Sequence, residues 1–224
     1  MKTDHQIQED VINQLKWEPF LKSSEIGVFV KNGIVTLSGQ TDSFSKKMAA
    51  EKAVRKIFGV KAIAEDIHVG ASPANGKTDT EIAESVINVL KWHTAIQEED
   101  IDIKVEGGFV TLEGEVDWEY QRAGAINAAA HLNGVRGINN FITVRPVVAS
   151  GNVENNIRAA LERNASTDAN RITVEVSEHN VILKGTVRSL AEKEDAKNAA
   201  WAAAGVTSVD DRLEVEVKEE EFAY

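Results

Sequence analysis

The sequence predicts an α+β protein built from three tandem αββαβ units, each a three-stranded mixed sheet with two helices on one face. Three observations carry this reading. Residues 4–69 align with residues 79–144 without a gap, with 24 of 66 positions identical, and 79–144 align with 150–215 with 14 of 66 identical. Each copy moves from apolar residues spaced for a helix to strict alternation and back to helical spacing. Glycines recur at matching places in all three copies, at Gly39, Gly114 and Gly185 and again at Gly59, Gly134 and Gly205. The units are expected at residues 1–70, 77–145 and 149–218. Their connections, 70–77 and 145–149, hold two of the three prolines and carry loop chemistry.

Each unit opens with a helix. Ile7, Val11 and Leu15, and likewise Ile82, Val86 and Leu90, recur every four residues and form one apolar stripe. Thr3 with Gln6, and Thr78 with Glu81, have the spacing of capping boxes. Two strands follow. In the second unit Ile101, Ile103 and Val105 alternate with Asp102, Lys104 and Glu106, and Val110–Glu113 continues the pattern. Asn32-Gly33 and Gly107-Gly108 are strong hairpin turns, because both residues tolerate positive φ. The third unit has Glu178-His179-Asn180 there, so a longer or different turn is expected. A second helix carries small inward residues: Ala50, Ala53 and Val54; Ala125, Ala128 and Ala129; Ala196, Ala199 and Ala200. Its C-terminal glycine is expected at Gly59, Gly134 or Gly205. The helix bridges the second and third strands, which are therefore expected to be parallel, whereas the hairpin is antiparallel. The face away from the helices carries Asp102, Lys104, Glu106, Thr111 and Glu113 in the second unit, and is read as solvated or free for a partner. Phe29 and Phe109 are expected on this open face.

Composition narrows the function. The chain has 224 residues, 42% of them hydrophobic and 27% charged, as in soluble globular proteins. With no cysteine, disulfides, thiolate metal sites and cysteine nucleophiles are excluded. A formal net charge of −11 disfavours nucleic acid as a partner. No apolar run is long enough for a transmembrane helix, and the first ten residues lack a signal-like apolar core. The chain as written is expected in the cytoplasm, or in the periplasm if a leader was removed.

The segment Asn32-Gly33-Ile34-Val35-Thr36-Leu37-Ser38-Gly39 resembles the central motif of BON domains, and Gly107–Val116 matches it more closely. Gly59–Ile63 and Gly134–Ile138 are similar to the second family motif. The third unit departs at the turn but keeps Val181–Val187 and Gly205-Val206. The resemblance implies a non-catalytic protein of osmotic or envelope stress, with a phospholipid surface or a protein client as partner, and no cofactor. It supplies no catalytic residue. Gly33, Gly39, Gly59, Gly108, Gly114, Gly134, Gly185 and Gly205 take structural roles within it. A protein-binding scaffold or holdase is the alternative; a hydrolase or metal enzyme comes third. The five histidines lie at no ligand spacing, and Glu98–Asp102 runs into a strand that would splay its carboxylates, so no metal site is expected.

Two surface candidates remain. Residues 1–75 hold 10 Lys+Arg against 9 Asp+Glu, while 76–149 hold 6 against 12 and 150–224 hold 9 against 15. The positive charge of the first unit gathers at Lys46, Lys47, Lys52, Arg55 and Lys56 on its second helix. That helix suits an anionic membrane surface or, by a small margin, an acidic sister unit. Trp118 and Tyr120 form an aromatic pair that the other copies lack. Trp17 and Trp92, at the end of the first helix, are read as core or inter-unit packing.

Overall fold

A computed structural model describes residues 2–21, 23–70, 76–92, 101–145, 153–163 and 171–216. The first unit comprises α1 (Asp4–Trp17), β1 (Ile26–Lys31), β2 (Ile34–Thr41), α2 (Phe44–Arg55) and β3 (Ala62–Val69). The second comprises α3 (Asp79–Trp92), β4 (Ile101–Glu106), β5 (Phe109–Val116), α4 (Glu119–Ala130) and β6 (Gly137–Val144). The third comprises α5 (Val153–Arg163), β7 (Ile172–Ser177), β8 (Asn180–Val187), α6 (Leu190–Trp201) and β9 (Ser208–Val215). The fold is α+β, three repeated units. In each sheet the second strand is central, antiparallel to the first and parallel to the third.

Local chemistry starts each unit. The Thr3 and Thr78 hydroxyls accept from the amides of Gln6 and Glu81, and those side chains accept back from the threonine amides. Such a cap contributes about 1 kcal/mol. The next residue does a second job. Asp4 accepts from the amides of Asn32 and Gly33 at 2.7 and 2.9 Å, and Asp79 from those of Gly107 and Gly108 at 2.8 and 2.9 Å. The start of the first helix thus clamps the hairpin turn. All four turn residues have positive φ, as I′ turns require.

The third turn is no longer than the others, because Ser177 pairs directly with Asn180. It differs in kind. Of its two central residues, Glu178 alone is left-handed, with φ 55°. His179 stands where Gly33 and Gly108 stand, and its Nδ1 lies 2.7 Å from the Gly205 carbonyl. A second expectation is corrected here. The second helices end at Arg55, Ala130 and Trp201, four residues before Gly59, Gly134 and Gly205. Those glycines, with φ of 89°, 95° and 86°, close the turn after the helix instead of capping it.

Each core lies between the helices and one sheet face. Leu37, Leu112 and Leu183 on the central strands are fully buried, and Leu15, Leu90 and Leu161 on the first helices are at most 1% exposed. Ala50, Ala125 and Ala196 are fully buried too, which lets the second helix approach the sheet closely.

The second helices also join the units, each through its first residue. Phe44 of α2 packs on the core of the second unit. Leu190 of α6 packs on the core of the first. The equivalent residue of α4 is Glu119, which faces Glu194 and Lys197 of α6. Beside it, Arg122 lies 4.5 Å above the Trp201 ring, and Trp201 touches the cores of the second and third units. The contacts run from first unit to second, second to third and third to first, so the three units close on one another.

Candidate functional site: exposed aromatic and charged faces

Lys46 lies 2.7 Å from Asp42 and 5.6 Å from the Phe20 ring centre. Lys47 donates to the Ile67 carbonyl at 3.1 Å and stands 3.7 Å from Glu65. Arg55 pairs with Glu51 at 2.6 Å, and Lys56 with Glu18 at 3.5 Å. Among the described residues Lys52 is the member of this set that is exposed and without an ion pair. The basic helix therefore spends most of its charge inside its own unit. This weakens the reading of α2 as a membrane-binding stripe, and its first residue, Phe44, makes the sister-unit contact by apolar packing.

Trp118 and Tyr120 stack at 6.5 Å with 20° between their planes, at the start of α4. Trp118 is one-third exposed and Tyr120 more so. The Gln121 side chain accepts from the amides of Asp117 and Trp118 at 3.0 and 2.9 Å and fixes this turn.

Glu119 and Glu65 are partly covered carboxyls, less buried than Glu192, which is 4% exposed beside Arg188. Burial pushes both above the ordinary glutamate range, against the pull of Arg122 on Glu119 and of Lys47 on Glu65. A raised folded value means that Glu119 favours the folded state below the ordinary glutamate pKa, and that this contribution is lost as pH rises through the folded value. Leucine, the residue at the equivalent place in α6, needs no desolvation of charge. Glu119→Leu is therefore expected to flatten the stability rise between pH 7 and pH 4, and, since desolvation outweighs the Arg122 pair, to raise Tm at pH 7 by about 2–4 °C. Calorimetry at the two pH values checks this; an unchanged Tm at pH 7 would show that the Arg122 pair fully offsets burial.

A cleft of about 1090 Å³ lies between the first and second units, with Phe20, Lys46, Lys77, His131 and Arg136 on its walls. Its carboxylates are engaged: Asp42 with Lys46, Asp79 with the hairpin amides and Glu81 in its capping box. No cluster of three or more His, Cys, Asp or Glu suited to a metal ion occurs among the described residues. Glu98, Glu99 and Asp100, part of the acidic run, lie outside them, as does His93.

The indoles of Trp17 and Trp92 are not packing residues. They are 82% and 85% exposed, at the last positions of α1 and α3. Helical geometry explains this and could have foretold it. Each lies two residues, some 200° of arc, beyond the buried Leu15 or Leu90. The third unit has Arg163 at the same place, also exposed. Phe29, Ile34, Phe109 and Phe141 stand on the open sheet faces, all more than 40% exposed.

A family model for the BON domain matches residues 3–71, 78–146 and 150–217. This chain belongs to the BON domain family. It is 30% identical over 148 residues to osmotically-inducible protein Y of Escherichia coli (strain K12), covering 62% of this chain and 73% of that one. Among solved structures it is similar to CdsD, a structural protein of the type III secretion system of Chlamydia trachomatis, at 16% identity and a TM-score of 0.28 over 96% of this chain and 97% of that one. A second structure, of the C-terminal domain of CdsD, matches at 15% identity and a TM-score of 0.26, covering 94% of this chain and 96% of that one. In this BON protein no helix among the described residues is long and apolar enough to cross a membrane.

Proposed function

We propose that this BON protein is a non-catalytic, stress-linked binding protein that lodges at phospholipid surfaces through Trp17 and Trp92. The carrying observation is the pair of indoles at equivalent places, each more than four-fifths exposed. An indole has an apolar body and one N–H donor, and the membrane–water interface accommodates both. Lys16 precedes Trp17 in the last turn of α1, where an ammonium can meet headgroup phosphate. The family and the name of the osmotically inducible relative support the stress link. Binding of this kind leans on apolar burial, since the net charge of −11 opposes anionic lipid.

Sedimentation with vesicles of zwitterionic lipid, and with vesicles containing 30% anionic lipid as a rough physiological proportion, tests the reading. Trp17→Ser/Trp92→Ser is expected to weaken partitioning about tenfold or more, with little change between low and physiological salt. Equal sedimentation of the variant and the parent would remove the indoles from this role, and no sedimentation of the parent would remove the membrane.

A further inference from the structure

We propose that the open sheet face of the second unit is a docking surface for a cationic polypeptide segment that carries apolar side chains. Strand register arranges that face in three rows. Asp102, Glu113 and Phe141 form one; Lys104, Thr111 and Asn139 the next; Glu106, Phe109 and Gly137 the third. Phe109 and Phe141 are 50% and 62% exposed. The Phe109 ring reaches over Gly137 of the neighbouring strand, where an added Cβ would come within 2.8 Å of ring atoms.

The charge on the face is uncompensated in a way the fold does not require. Asp102 and Glu113 are direct cross-strand partners, and like charges so placed repel. Neither meets a cation among the described residues; Lys104 turns to Glu106 at 3.0 Å, and Arg145 serves Glu115 and Asp117. The corresponding row is Gly27, Ser38 and Asp66 in the first unit. In the third it is Thr173, Lys184 and Arg212, with Lys184 2.7 Å from Glu175 and Arg212 2.7 Å from Asp210. The same backbone is thus built without an acidic pair in one copy and with internally matched charges in another. What the second face lacks is a cation for Asp102 and Glu113, since its one lysine, Lys104, turns to Glu106, and beside that lack it exposes two phenyl rings. A segment alternating basic and apolar side chains supplies the complement to both. Anionic lipid headgroups would add to the repulsion, which separates this surface from Trp17 and Trp92.

The test uses the full chain and a fluorescent twelve-residue peptide of the repeat Lys-Leu-Lys-Ser, with Glu-Leu-Glu-Ser and Lys-Ser-Lys-Ser peptides for comparison. Anisotropy titration is expected to show binding of the first peptide alone at micromolar concentration. Asp102→Asn/Glu113→Gln should weaken it about tenfold and Phe141→Ser several-fold. Glu9→Gln/Glu162→Gln, which removes the same net charge from two exposed helix positions, should leave it unchanged. Equal weakening by both double variants would reduce the effect to net charge and overturn the proposal, as would equal binding of the acidic peptide or no binding below millimolar concentration. All the substituted side chains are exposed, and circular dichroism melts of Asp102→Asn/Glu113→Gln should lie at or above the parent. Its sedimentation with vesicles should be undiminished, so this surface and the membrane reading fail or stand separately.

Discussion

Gly185→Ala is expected to unfold the third unit at temperatures where the parent is intact. Gly185 sits on the central strand β8 with φ 127°, a backbone state that side chains rarely adopt. It also faces the start of β7, where an added Cβ would collide with the Arg171 carbonyl oxygen, and with backbone there is no flexible side chain to give way. Positive φ and the steric conflict together cost about 3 kcal/mol or more. A unit of this size has little more than that to lose. Gly39 repeats the arrangement against the Glu25 carbonyl, with φ 130°. Gly76→Ala is the control, since nothing stands within 4 Å of its added Cβ and its φ is not in the left-handed range. Urea melts should show an early transition for Gly185→Ala and Gly39→Ala and none for Gly76→Ala. A parental melt for Gly185→Ala would mean that the strand start moves aside freely.

Leu112→Ala should have a comparable effect, by a different route. Leu112 is wholly buried on the central strand β5, and truncating such a leucine removes transfer energy and leaves a cavity, at about 3–5 kcal/mol. The second unit also receives Phe44 from α2 and Trp201 from α6 on its core. Loosening it therefore strips two other helices of contacts. Hydrogen exchange should show lost protection across β4–β6 and α4, with smaller losses in α2 and α6. Loss confined to the second unit would show that the junctions add nothing to their neighbours. A fall in Tm of less than about 2 °C would contradict the cavity argument itself.

Sequence periodicity reached much of this protein because much of it is local. The hairpin turns were legible at Asn32-Gly33 and Gly107-Gly108, where residue chemistry dictates φ. The capping boxes were legible in the spacing of Thr3 with Gln6 and Thr78 with Glu81. The parallel pairing of second and third strands followed from the intervening helix. The placing of Phe29 and Phe109 followed from alternation. The second helices end four residues short of their glycines because a glycine can close the turn after a helix as readily as the helix itself.

The surface was harder to read. The pair of Glu51 with Arg55 is a four-residue spacing, but Lys47 meets Glu65 and Lys56 meets Glu18 only after the chain folds. Trp17 and Trp92 escape the packing expected of large aromatics because they stand two residues past the apolar stripe.

The amino-acid order by itself determined the repeat, the αββαβ element sequence and the inward face of each helix, because turn chemistry and side-chain period act between residues close along the chain. The closing of three units through Phe44, Arg122 with Trp201, and Leu190 was decided only in the tertiary structure. So was the neutralising of the basic helix and the unmatched opposition of Asp102 and Glu113. Burial and charge pairing are sums over neighbours far apart in the chain, and no local window contains them.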